Sequence, residues 1–185
     1  MSADITLNTI KREIVLPALR ENSVAIGKVC KVAVSLIENS EQFEKREGIL
    51  SIFDEGLLKT ITNAGESSYY RHLRFKKKLS VKKSIIKIVR YYLLFWSVKK
   101  RGFISDINRP ESLPCLFVSK KATSRFDGHH RTSVAKFMGY SEIPVLIITP
   151  KDVLGLKNLT RETREFIEKL GEPDTEWKSC DKDMH

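Results

Sequence analysis

The sequence predicts a mixed α/β fold of the α+β kind, and three patterns carry that prediction. Apolar residues recur at helical spacing through the first hundred residues. After residue 102 the pattern changes to short β-branched runs. Between residues 116 and 148 a strand, a glycine turn, a helix and a second strand follow one another.

Residues 1–65 are expected to form a helical N-terminal region. Ile26, Val29, Cys30, Ala33, Leu36 and Ile37 fall at the 3.6-residue period, and a second stripe runs through Ile49, Leu50, Phe53, Leu57 and Ile61. Pro17 is expected to end or kink an earlier helix that carries Ile10 and Ile14. Residues 66–102 read as a basic amphipathic helical segment. Ser80 is its N-cap, Gly102 its stop, and Val81, Ile85, Ile88, Val89, Tyr92, Phe95 and Trp96 its apolar face. Residues 103–150 form the α/β core, with strands at 116–118 and 143–148 and a helix from Thr132 to Met138 that Gly139 ends. Residues 151–172 hold a C-terminal helix capped by Thr160 and closed by Gly171 and Pro173, and 173–185 read as a flexible polar tail.

Charge is concentrated rather than spread. The 185 residues carry 33 Lys and Arg against 23 Asp and Glu, a net charge of +10. Residues 71–101 hold twelve of those basic residues and no acidic one, so the rest of the chain is close to neutral. Such an excess attracts acidic partners: nucleic acid, nucleotides, phosphorylated small molecules or an anionic membrane face. Three widely spaced cysteines, Cys30, Cys115 and Cys180, suggest neither a disulfide framework nor a zinc site. Reduced thiols in a cytoplasmic protein are expected. No secretory signal is expected, and Tyr91 to Val98 is far too short to span a bilayer.

The residues that carry chemistry run from Ser124 to Ser133. Asp127-Gly128-His129-His130-Arg131 follows a strand and opens a helix, where the macrodipole is positive and an anion is stabilised. Gly128 admits a positive φ or a close ligand. Arg131 can offer a bidentate fork to phosphate, the imidazoles add directional donors, and Thr132 and Ser133 can add hydroxyls. Each residue alone also has a plainer reading, as a turn, a cap or a solvated charge. Two adjacent histidines diverge at a helix start, so no metal site is expected here.

The stretch from Phe126 to Ile148 resembles the core of the ParB/sulfiredoxin superfamily. Members share a D-G-x-H-R pattern followed by an alanine, a glycine and I-P-V, matched here by Asp127 to Arg131, Ala135, Gly139 and Ile143-Pro144-Val145. Residues 95–150 carry the resemblance, including Ser97 to Phe103 and Leu113 to Val118 as the entry into the site. It implies a small mixed sheet and a nucleotide-phosphate site. Gly128, His130, Arg131 and Thr132 would hold the phosphates, with Asp127 and His129 as the catalytic candidates. ATP or CTP with Mg²⁺ is the implied cofactor. Activities in the superfamily include CTP hydrolysis, sulfinic-acid reduction and phosphorylation of free serine. His129 stands where sulfiredoxin needs a cysteine, which removes that thiol chemistry. His129-His130-Arg131 replaces the Glu-Arg-Arg of chromosomal ParB, and no helix-turn-helix follows the core. The pattern is nearest the free-serine kinase branch and small stand-alone ParB-like proteins, so a phosphotransferase or nucleotide hydrolase acting on a small molecule is expected. Asp106 and Glu111 are the nearest upstream carboxylates that could serve as base.

The basic segment has its own readings. Its cations interleave with Tyr69, Tyr70, Phe75, Tyr91 and Tyr92, which can stack on bases or belong to a core. An alternative function is therefore DNA binding or regulation without catalysis through residues 71–101, and a basic amphipathic helix also suits an anionic membrane surface.

Overall fold

The computed structural model describes residues 5–21, 26–37, 40–103, 113–121 and 123–172. The tail 173–185, with Cys180, and the two upstream carboxylates Asp106 and Glu111 lie outside the described residues. The strands are β1 (Lys28–Ala33), β2 (Cys115–Val118), β3 (Thr123–Asp127) and β4 (Glu142–Ile148), in the sheet order β1-β4-β2-β3. The α-helices are α1 (Leu7–Ile10), α2 (Leu16–Arg20), α3 (Val34–Ile37), α4 (Ser40–Phe53), α5 (Leu57–Asn63), α6 (Ser68–Arg71), α7 (Val81–Arg101), α8 (His129–Phe137), α9 (Pro150–Leu154) and α10 (Arg161–Leu170). The fold is thus mixed α and β around a small mixed sheet. No helix among the described residues is long and apolar enough to cross a membrane.

Contacts divide the chain into two units, each assembled from separated stretches. The first comprises residues 1–32, 105–128 and 144–185; the second comprises 33–104 and 129–143.

In the first unit β2 runs antiparallel to β3 and parallel to β4. All four β2 residues are buried, as are Val145 to Ile148 of β4. Strands covered on both faces need no polar alternation, which explains the continuous apolar run in the sequence. Ile10, Val15, Ile26, Phe117, Leu146, Ile148, Val153 and Ile167 form the core. The C-terminal helices follow their capping chemistry. Thr149 and Asp152 close a reciprocal capping box on α9, Thr160 accepts from the Thr163 N–H, and Gly171 takes φ +81° after α10.

Pro17 does not end the N-terminal helix. A π-helical turn at Lys11–Val15 joins α1 to α2, and the Leu16 N–H donates to the Lys11 carbonyl. Pro17 falls at the start of α2, where the ladder has already slipped by one residue and its missing donor breaks nothing. The stripe at 26–37 is also not one helix. It forms β1 and the single turn α3, with Cys30 and Val32 buried and Lys31 exposed between them. The strand buries Cys30 and Val32, two residues apart, and Val32 lies outside the helical stripe; the β-branched Val29 and Val32 favour the extended form.

In the second unit α7 supplies the central apolar face. Ser84, Ile88, Tyr91, Phe95 and Val98 are buried, whereas Val81, the first residue of the helix, is exposed. Phe53 from α4 sets its ring edge-on against Tyr91, Tyr92 and Phe95 at 5.2–5.6 Å. The Trp96 indole N–H donates to the Phe53 carbonyl at 3.3 Å. Each large ring so buried contributes about 2–3 kcal/mol of transfer free energy. Gly56, at φ +99°, divides the stripe expected from Ile49 to Ile61 into α4 and α5, and leaves Leu57 and Ile61 exposed.

Candidate functional site

The motif residues sit on one short path: β3 delivers Asp127, Gly128 makes the turn at φ +100°, and α8 begins at His129. The strand that precedes the motif is Thr123–Asp127, paired to β2 with a register shift between Cys115 and Leu116. Asp127 and Gly128 belong to the first unit, and His129 to Thr132 to the second.

In the first unit both carboxylate oxygens of Asp127 are engaged. One is ion-paired with Lys11 Nζ, and the other accepts the Gly128 N–H at 2.7 Å. Lys11 comes from the π-helical turn and is itself buried. Cys115 lies in the same surroundings. Its burial pushes the thiol pKa up to about 12; Lys11 opposes the rise and Asp127 adds to it. Gly128 is fixed by a steric demand as well as by its φ. A Cβ there would stand 2.5 Å from Pro114 Cβ and 2.7 Å from Pro114 Cα. The close approach that this glycine permits is to Pro114.

In the second unit His130 is held in an aromatic cluster. Its Nε2 is 2.5 Å from the Tyr69 hydroxyl, and its ring packs edge-on against Tyr91 at 4.5 Å and Tyr69 at 5.6 Å. The Arg46 guanidinium lies over the Tyr69 ring, 5.4 Å from its centroid. Burial pushes the Tyr69 phenol above its ordinary pKa, with Arg46 pulling against it. Burial likewise drives the Tyr91 phenol far above the ordinary range. The Thr132 and Ser133 hydroxyls both donate to the His129 carbonyl, at 3.2 and 2.8 Å. Their donors are therefore committed to the helix that carries them. His129 and Arg131 are half-buried, and the first turn of α8 holds no acidic residue.

Lys11 and Arg46 are not singled out in the sequence. For the site, Pro114 and Cys115 read only as part of its entry, and Tyr69 and Tyr91 only as aromatics of the basic segment, able to stack on bases or to join a core. Arg46 alone left a signal: Phe43, Arg46 and Leu50 share a helical face, so an arginine falls on an apolar stripe. Nothing local marks Lys11, or Tyr69 as the partner of His130. Among the described residues no group of three or more His, Cys, Asp or Glu side chains is arranged to hold a metal ion. Comparisons with protein-family models, curated proteins and solved structures return no match for this chain.

Proposed function

We propose that the chain is a nucleotide-binding protein with a ParB/sulfiredoxin-like core, and that the start of α8 receives the nucleotide's phosphates. The observation that carries this reading is the junction itself: a strand end, a glycine at φ +100°, and a helix whose first turn has Arg131 and no carboxylate. The positive end of a helix dipole and a guanidinium favour the same ligand charge. His130 and Thr132 support this site through the Tyr69 hydrogen bond and the His129 carbonyl respectively. Asp127, held by Lys11 and the Gly128 N–H, positions the turn. By the family resemblance, His129 assists transfer of a phosphoryl group to a small molecule or to water. Phosphoryl transfer depends mainly on positioning and charge neutralisation. The donor set suits a Mg²⁺ that arrives on the phosphates of ATP or CTP, since magnesium commonly keeps phosphate and water oxygens and few protein ligands.

Thermal unfolding of the full chain with ATP or CTP and Mg²⁺ tests the proposal. Ligand at a hundredfold excess over its Kd stabilises by about 2.7 kcal/mol, a shift of roughly 5–10 °C for a chain of this size. Arg131→Ala is expected to remove the nucleotide-dependent shift, read as the difference between liganded and unliganded melting temperatures of the same variant. If no nucleoside triphosphate raises the melting temperature of the unaltered chain, nucleotide binding is refuted.

A further inference from the structure

The outward face of α7 is unlike an ordinary solvated helix face. Ile86 and Leu93 are 42% and 59% exposed, and residues seven apart on a helix lie within about 20° of each other around the axis. They therefore form one apolar strip, on the side away from Ser84, Ile88, Tyr91, Phe95 and Val98. Exposed Lys82, Lys83, Arg90 and Lys100 border that strip, with Lys87 further round. Among the described residues none of these five cations makes an ion pair; Lys99 pairs with Asp54. The neighbouring helix α5, which packs against α7, carries Leu58, 78% exposed. Every large apolar side chain that is exposed among the described residues belongs to this second unit, as does the acid-free segment 71–101.

We propose that this face docks on an anionic lipid bilayer. Aliphatic side chains ringed by unneutralised cations match a surface that offers both negative headgroups and an apolar layer beneath them. Nucleic acid would satisfy the lysines, but interfaces with it are strongly polar and leave the central Ile86 and Leu93 without a use. A partner helix would have to bring a matched set of acidic residues to answer five cations, whereas anionic headgroups supply that charge across a whole surface. The cations supply long-range attraction, and Ile86 and Leu93 add the short-range burial that distinguishes a bilayer from any other polyanion.

Flotation of the full chain with vesicles tests this. The protein is expected to float with vesicles of phosphatidylcholine mixed with phosphatidylglycerol, and to stay in solution with phosphatidylcholine alone. Ile86→Ser with Leu93→Ser, both at exposed positions, is expected to weaken partition by about tenfold or more. Each neutralisation in Lys82→Gln, Lys83→Gln and Lys87→Gln is expected to weaken it roughly fivefold, and added salt to weaken it further. Arg131→Ala should leave partition unchanged, which separates this surface from the phosphate site. Three results would overturn the proposal. They are absence of binding to anionic vesicles, equal binding to neutral ones, and binding that ignores the Ser pair while the lysines alone control retention of a DNA duplex.

Discussion

Replacing Gly128 by alanine separates a sterically enforced glycine from a merely flexible one, and two other glycines serve as controls. At Gly128 the backbone has φ +100°, and the added Cβ would meet Pro114 Cβ at 2.5 Å and Pro114 Cα at 2.7 Å. The second of these is backbone and cannot rotate away. The left-handed conformation costs a non-glycine residue about 1–2 kcal/mol. Overpacking against a fixed neighbour adds about 1–3 kcal/mol. Gly128→Ala should therefore destabilise by about 2–5 kcal/mol. Gly139 also has a positive φ, +74°, yet a Cβ there meets nothing within 4 Å. Gly139→Ala should show only the conformational part, about 1–2 kcal/mol. Gly48 lies within α4 with an open surrounding and no positive φ, so Gly48→Ala should stabilise by about 0.5–1 kcal/mol. Urea unfolding followed by circular dichroism measures all three. A Gly128→Ala variant that loses no more than Gly139→Ala would refute the Pro114 contact as the reason for glycine, and leave φ as the whole explanation.

Two further outcomes follow from the aromatic cluster and its neighbours. Tyr69→Phe removes the hydroxyl 2.5 Å from His130 Nε2 and should cost about 1–3 kcal/mol. A double-mutant cycle with His130→Phe should show coupling above about 0.5 kcal/mol; additivity would mean that the pair does not interact. His72 has its pKa held below 6.5, first by burial and then by Lys45, Lys77, Arg46 and Lys76. The folded state thus favours the neutral ring. Its contribution is present above pH 6.5 and lost as pH falls through the lowered value. His72→Gln should shallow the loss of stability below pH 6.5, and an unchanged acid limb in the urea midpoints would contradict that.

What the sequence by itself determined is what adjacent residues decide. The run from Leu116 to Val118, the apolar stretch at 143–148, the stop at Gly139, and the caps at Ser80 and Thr160 all appear where the local pattern puts them. Each depends on side chains a few residues apart, or on a backbone preference of one residue. The junction of Asp127, Gly128 and His129 was legible for the same reason. Periodicity failed where a helical stripe ran across a strand. Cys30 belongs to that stripe, but in β1 it alternates with Val32, and pairing within the sheet selected the strand. On α7 the expected residues Ile85, Ile88, Tyr92, Phe95 and Trp96 do pack in the core, but Val81 at the first turn is exposed. Ser84, Tyr91 and Val98 are buried with them against α4, α6 and α8.

Only the tertiary structure decided how the motif's side chains are used. Asp127 is paired by Lys11, and His130 by Tyr69, from elements far away in the chain. Gly128 is required by Pro114, which nothing in the spacing of the motif reveals. Charges and hydrogen bonds act over a few ångströms, so the partner of a site residue is fixed by which elements the fold makes neighbours. The sequence located a strand end, a glycine turn and a helix start. The fold set Lys11 against Asp127 and Tyr69 against His130.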